Sequence, residues 1–189
     1  KLLKHIDRIH EWNEKGFTSP ILIDLDLTNV CNNKCPLCVS SIISKNRNMT
    51  TMPLETVKDL IVQLRDMNAR AITFAGGGEP ACHPDLPEII RFVKKNNMDV
   101  AMFTNGLGLT SEIIDAIVEC CTWVRISLDA SNPHEYSKTH GMDKTAFDRV
   151  IKNISLLTEA RKKTGSSVGI GVGYLIGVNT IDGIYDATK

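Results

Sequence analysis

Hydrophobic positions run through the chain with two alternating periods. Runs rich in Ile, Val and aromatic residues, at Ile21 to Leu27, Ala71 to Ala75, Asp99 to Thr104, Trp123 to Asp129 and Ser167 to Ile176, predict five β-strands. Between them the apolar spacing widens to three and four residues, the helical period. Leu54, Val57, Leu60, Ile61 and Leu64 form one such stripe, entered through Pro53. Ile89, Ile90 and Val93 follow Asp85 and Glu88, which have the spacing of a capping box, and Ile113, Ile114 and Ile117 follow a cap at Thr110 or Ser111. Pro133 opens a short helix that Gly141 can close. Phe147, Val150, Ile151, Ile154 and Leu157 predict a long helix ending near Gly165. Ahead of the first strand, Leu2, Leu3, Ile6, Ile9 and Trp12 mark an amphipathic helix ended by Gly16 and expected to cover a sheet edge or barrel end. The expected organisation is therefore residues 1–16 as this helix and 17–189 as one α/β core.

Strands alternating with helices of this length favour a parallel sheet, because a parallel crossover needs a long connection. An open doubly wound sheet and a full or partial (β/α) barrel both fit the pattern. In either, ligand chemistry belongs at the carboxyl ends of the strands. The unusual residues cluster there: Cys31 to Cys38 after the first strand, Gly76 to Pro80 after the second, Asn105 and Gly106 after the third, and Ser127 with Asp129 at the end of the fourth.

The chain has 189 residues with 22 Lys plus Arg and 22 Asp plus Glu, so no global charge draws it to nucleic acid or an anionic membrane. No apolar run reaches the roughly 18 residues of a spanning helix, and the first twenty residues do not read as a signal peptide. A cytoplasmic protein is the expectation, with its cysteines as thiols. The adjacent Cys120 and Cys121 read as small buried hydrophobes, to which no chemistry is assigned.

Cys31-Asn-Asn-Lys-Cys35-Pro-Leu-Cys38 has the spacing C-x3-C-x2-C on a loop. Three thiolates so close in sequence suit a soft metal centre, either zinc or an iron-sulfur cluster. Zinc would need a fourth ligand such as Cys82 or His83. A cubane held by three thiolates instead leaves one iron open, which points to catalysis.

This cysteine loop after the first strand, with Gly76-Gly77-Gly78-Glu79-Pro80 after the second, resembles the radical S-adenosylmethionine (radical SAM) enzymes. The resemblance implies a partial (β/α) barrel, (β/α)6 in full length with the last unit missing here. It implies that Cys31, Cys35 and Cys38 ligate three irons of a [4Fe-4S] cluster and that SAM chelates the fourth. Gly77, Gly78 and Glu79 match the element that binds the SAM ammonium, and Ser127 and Asp129 match a polar fourth-strand position suited to ribose hydroxyls or the methionyl carboxylate. Asn105 stands as a ligand or a turn residue. Gly173-x-Leu175-x-Gly177 resembles a fifth-strand adenine contact, and the alternation of Gly169, Gly171 and Gly173 clears one strand face without forming a dinucleotide fingerprint.

The chain departs from the family pattern at Leu37, where an aromatic residue is common, and at His140, where relatives often place an arginine before the glycine. His140 either takes the carboxylate contact or caps its helix. The function implied is reductive cleavage of SAM to a 5′-deoxyadenosyl radical that abstracts a substrate hydrogen, with peptide or protein modification as the reaction class. Dehydration or dehydrogenation of a sugar or other small molecule is the runner-up, and a zinc- or cluster-binding module without SAM chemistry is the reading from another class. A low-potential flavodoxin or ferredoxin is the expected reductant. The loop from Ser40 to Thr51 is expected to shape the substrate side.

Overall fold

The computed structural model describes residues 2–40 and 48–189. Most of the loop from Ser40 to Thr51 therefore lies outside the described residues. Five parallel strands, β1 (Leu22–Leu25), β2 (Ala71–Phe74), β3 (Asp99–Thr104), β4 (Cys121–Ser127) and β5 (Gly169–Gly173), form one sheet in the order β1-β2-β3-β4-β5. Helix α1 (Ile6–Lys15) precedes the sheet. Helices α2 (Leu54–Asp66), α3 (Leu86–Lys95) and α4 (Ser111–Cys120) make the first three crossovers, and α5 (Pro133–His140) with α6 (Thr145–Thr164) makes the fourth.

This strand order decides between the two topologies left open by the sequence. A doubly wound sheet reverses direction at a switch point, whereas crossovers of one hand that always step the same way put every helix on the same face. Burial agrees. Ile72 and Phe74, Val100 and Met102, and Val124 and Ile126 alternate along β2, β3 and β4 and are buried against Val57, Ile61, Ile89, Ile90, Ile113, Ile117, Val150 and Leu157 of the helices. The opposite, inner face carries Asp24, Thr73, Ala101, Phe103, Trp123 and Arg125. The result is a partial barrel, helices outside.

Several termini follow the sequence signals. Thr110 accepts from Ile113 N at 3.3 Å, and Gly16, Gly141 and Gly165 end their helices with positive φ. The capping box at Asp85 does not form. Asp85 has φ −99° and ψ 16°, not the extended backbone that turns a cap side chain toward the helix, and its N–H donates to His83 Nδ1. The strands are shorter than the apolar runs, so Asp129 and Leu175 fall beyond the ends of β4 and β5. Helix α1 has no buried residue; Ile6, Ile9 and Trp12 stay exposed. It attaches to the loop before β2 through polar groups, with Arg8 donating to Asn68 O at 2.6 Å and Asp7 paired with Arg70. No helix among the described residues is long and apolar enough to cross a membrane.

Candidate active site

The loops leaving β1 and β2 are fastened together by their backbones. Glu79 N–H donates to Val30 O at 2.8 Å, and Gly77 N–H donates to the Asp26 carboxylate at 2.8 Å. Gly78 lies so close to the first loop that a Cβ there would stand 2.3 Å from Val30 O, and Gly76, at φ +105°, faces the Asp26 side chain. The glycines are needed for this approach of one backbone to another. A second brace comes from residues 50–52: Asn29 N–H donates to Thr50 O at 3.1 Å and Met52 N–H to Leu27 O at 2.9 Å.

The cysteine loop that follows lines a cavity of about 650 Å³ at the carboxyl ends of the strands. Cys31, Cys35, Leu37 and Cys38 form one wall, Gly76, Gly78 and Glu79 another, and Asn105, Ser127, Asp129, His140 and Leu175 complete it. Of the residues expected to hold the cluster or SAM, Gly77 has its N–H turned to Asp26, and the others just named meet at this cavity. Burial and the neighbouring Cys31 and Cys38 push the Cys35 thiol up to about 11. Their mutual repulsion as thiolates is what a cationic iron centre would relieve.

Glu79 is buried to 3 % exposure, and its carboxylate accepts three hydrogen bonds. Oε1 accepts from Ala81 N at 3.0 Å and Thr104 Oγ1 at 2.6 Å, and Oε2 accepts from Asn105 N at 2.7 Å. Burial pushes the carboxyl pKa up while these donors oppose the shift. An ionised carboxylate accepts at about four positions, so capacity remains at Oε2 for an ammonium. Asn105 continues the network, its Nδ2 donating to Asn32 Oδ1 at 2.6 Å.

His140 is neither a helix cap nor a free side chain. Its Nε2 lies 3.1 Å from Ser127 O, to which it donates; Nδ1 lies 2.9 Å from Thr139 Oγ1, and the ring stacks on Tyr136 with centroids 4.1 Å apart. Burial depresses its pKa, opposed by Asp129. The His140 carbonyl also accepts from Lys34 N at 3.0 Å inside the cysteine loop. Asp129 departs from the strand-face expectation: at φ +47° it has left β4, and Oδ1 accepts from Leu175 N at 2.5 Å. It thereby ties the chain after β5 over the cavity. Leu175 and Leu37 are exposed at the rim, 58 % and 74 %.

Sequence reasoning missed Asn33. It is buried and lines the cavity, its Nδ2 lies 3.5 Å from Tyr136 Oη, and its Oδ1 has no partner among the described residues. The available signal was a second amide between the first two cysteines. A single-ion zinc site fits poorly. His83 has both ring nitrogens engaged, with Met52 O at 2.9 Å and Asp85 N at 3.1 Å, and among the described residues no three Cys, His, Asp or Glu groups converge on one ion. The thiolates of a cubane each bind a different iron and need no such convergence.

Residues 25–185 match the Radical SAM superfamily. The chain belongs to that superfamily. Mycofactocin maturase MftC of Mycolicibacterium smegmatis is 30% identical over 156 residues, covering 82% of this chain and 38% of that protein. GTP 3′,8-cyclase of Chlorobaculum tepidum is 31% identical over 140 residues, covering 71% and 40%. In fold, the chain resembles Streptococcus suis SuiB bound to S-adenosylmethionine, with TM-score 0.71 and 17% identity over 98% of this chain and 42% of that one. It also resembles anSMEcpe with bound AdoMet and the Cp18Cys peptide, with TM-score 0.66 and 17% identity over 90% and 47%. The chain spans roughly two fifths of the length of these curated relatives. The cavity described above thus sits at the carboxyl rim of a radical SAM partial barrel.

Proposed function

We propose that Cys31, Cys35 and Cys38 hold a [4Fe-4S] cluster, that SAM occupies the adjoining cavity, and that the whole protein modifies a peptide. The observation that carries the reading is the meeting of three thiols from one loop with Gly78 and Glu79 around one cavity of about 650 Å³. Bound there, the cluster would supply one electron to the SAM sulfonium, and the resulting 5′-deoxyadenosyl radical would abstract hydrogen from substrate. This chain's residues do the holding. Glu79 Oε2 offers a carboxylate lone pair to the SAM ammonium, and Gly78, packed against the β1 loop, forms the cavity wall beside it. Asn33 Oδ1, buried without a partner among the described residues, offers a further polar contact at the cavity wall.

The loop after β5, held by Asp129 and by Thr180 Oγ1 donating to Leu175 O at 2.6 Å, excludes water from the adenine side, with Leu175 and Leu37 as its apolar contacts. Asn105 and Ser127 contribute polar contacts to the same ligand. His140 holds the end of β4 through its ring and the cysteine loop through its carbonyl, and lines the cavity. Peptide modification is supported by relatives named for peptide chemistry, including the PqqA peptide cyclase of Streptomyces rochei and the SuiB structure bound to its precursor peptide SuiA. The same reading puts the protein in the cytoplasm, where a low-potential flavodoxin or ferredoxin reduces the cluster.

Anaerobic reconstitution tests the site. About four irons and four sulfides per chain are expected, and replacing Cys31, Cys35 and Cys38 together by Ala should abolish both. Stoichiometric zinc without sulfide would contradict the reading. Replacing Cys120 or Cys121 should leave the iron content unchanged.

A further inference from the structure

Gly169, Gly171 and Gly173 of β5 stand in register beside Trp123, Arg125 and Ser127 of β4. Val124 and Ile126 between them are buried toward the helices, so Trp123, Arg125 and Ser127 point to the inner face of the barrel. On β3 the register partner of Arg125 is Phe103. The guanidinium lies over the Phe103 ring, 4.3 Å from its centroid, and Trp123 meets the same ring edge-on at 4.9 Å. On the other side the glycines leave the cation uncrowded. A Cβ at Gly173 would stand 3.5 Å from Arg125 Nε, and one at Gly171 would stand 4.0 Å from its Cγ.

Arg125 is exposed, and among the described residues no carboxylate pairs with it. The acid on the same face, Asp24, lies on β1, with β2 and β3 between them. The other acid at a strand of this face, Asp99, stands at the start of β3, with Lys94 3.9 Å away. Phe103 and Ser127 both line the cavity, and Arg125 lies about 6–7 Å further along β4 from Ser127, one inward-facing position deeper. A guanidinium stacked on an aromatic ring keeps its in-plane donors available, and those donors match a carboxylate in bidentate geometry.

We propose that Arg125 anchors a substrate carboxylate on the inner face of the barrel, with Phe103 and Trp123 packing against the apolar group beside it. This rests on the radical SAM reading of the adjoining cavity, which places the substrate on that face. The carboxylate is either the terminus of a peptide or an acidic side chain within one. Both present the same two oxygens.

Calorimetric titration of the reconstituted, SAM-loaded protein with three probes tests the anchor: acetyl-Ala-Phe with a free carboxylate, acetyl-Ala-Phe-amide, and acetyl-Glu-Phe-amide. At least one acidic probe should bind tenfold or more tighter than the neutral amide, and which one does so identifies the source of the carboxylate. Arg125→Gln should reduce that preference below twofold, while Arg125→Lys should retain part of it. Equal binding of all three probes, no measurable binding of any, or a preference that survives in Arg125→Gln overturns the proposal. Iron, sulfide and SAM binding of the unsubstituted protein are measured on the same preparation. A loaded, SAM-binding protein without acid preference overturns the anchor alone, and a protein that loads no cluster overturns both readings.

Discussion

At the scale of single residues, Glu79 spends most of its carboxylate on the protein. Three of its hydrogen bonds join the end of β2 to Thr104 and Asn105 at the end of β3 and to the turn at Ala81. Glu79→Ala is expected to lower stability by about 1.5–3 kcal/mol, the scale for a buried bond to a charged group whose partners are left unsatisfied. Urea unfolding measures this, and unchanged stability would mean that water replaces the carboxylate. SAM affinity should fall in the same variant. His140 carries a pH dependence. Burial holds its pKa below the ordinary 6.5, so the unfolded chain takes the proton first. Its share of stability is full above about pH 6.5 and drains away as pH falls through the lowered native value. The urea midpoint should therefore decline from pH 7 to pH 5, and His140→Gln should flatten that decline; an equal slope in both proteins would place the titration elsewhere. The resemblance to the radical SAM enzymes was enough to mark Glu79 and His140. Their partners Thr104 and Ser127 were not legible as partners, because each lies on another element and only the folded register brings it near, whereas Tyr136 stands one helical turn before His140 on the same helix α5.

Among elements, the site depends on how tightly loops are pressed together. Gly141 ends α5 at φ +63°, and a Cβ there would stand 2.3 Å from Lys34 O in the cysteine loop. Gly16 ends α1 at φ +74° with nothing within 4 Å. The pair separates backbone strain from contact. Gly16→Ala should cost about 1–2 kcal/mol, the price of left-handed backbone for an alanine, whereas Gly141→Ala should cost more and reduce iron uptake. Equal losses in the two variants would mean that α5 does not press on the cysteine loop. Both helix ends were legible from glycine alone, but the difference between them was not, since it comes from a loop more than a hundred residues away in sequence. The capping box failed for a related reason. Its residue types were right, but the His83 turn fixes Asp85 in a backbone conformation that a cap does not use.

Over the whole molecule, the alternation of strands and helices made the parallel sheet readable, while strand order was not, because both topologies share that alternation. Monotonic order puts all crossover helices outside and leaves the inner face to small, polar and aromatic side chains, with the cysteine loop at its rim. That arrangement predicts SAM cleavage by this chain alone, since the proposed cluster ligands and the proposed SAM contacts all belong to it. Chromatography for 5′-deoxyadenosine, on the anaerobically reconstituted protein with SAM and dithionite, tests this most directly. Slow, substrate-independent formation of 5′-deoxyadenosine and methionine in equal amounts is the expected result. No product from a protein with a full, reducible cluster and bound SAM would contradict it.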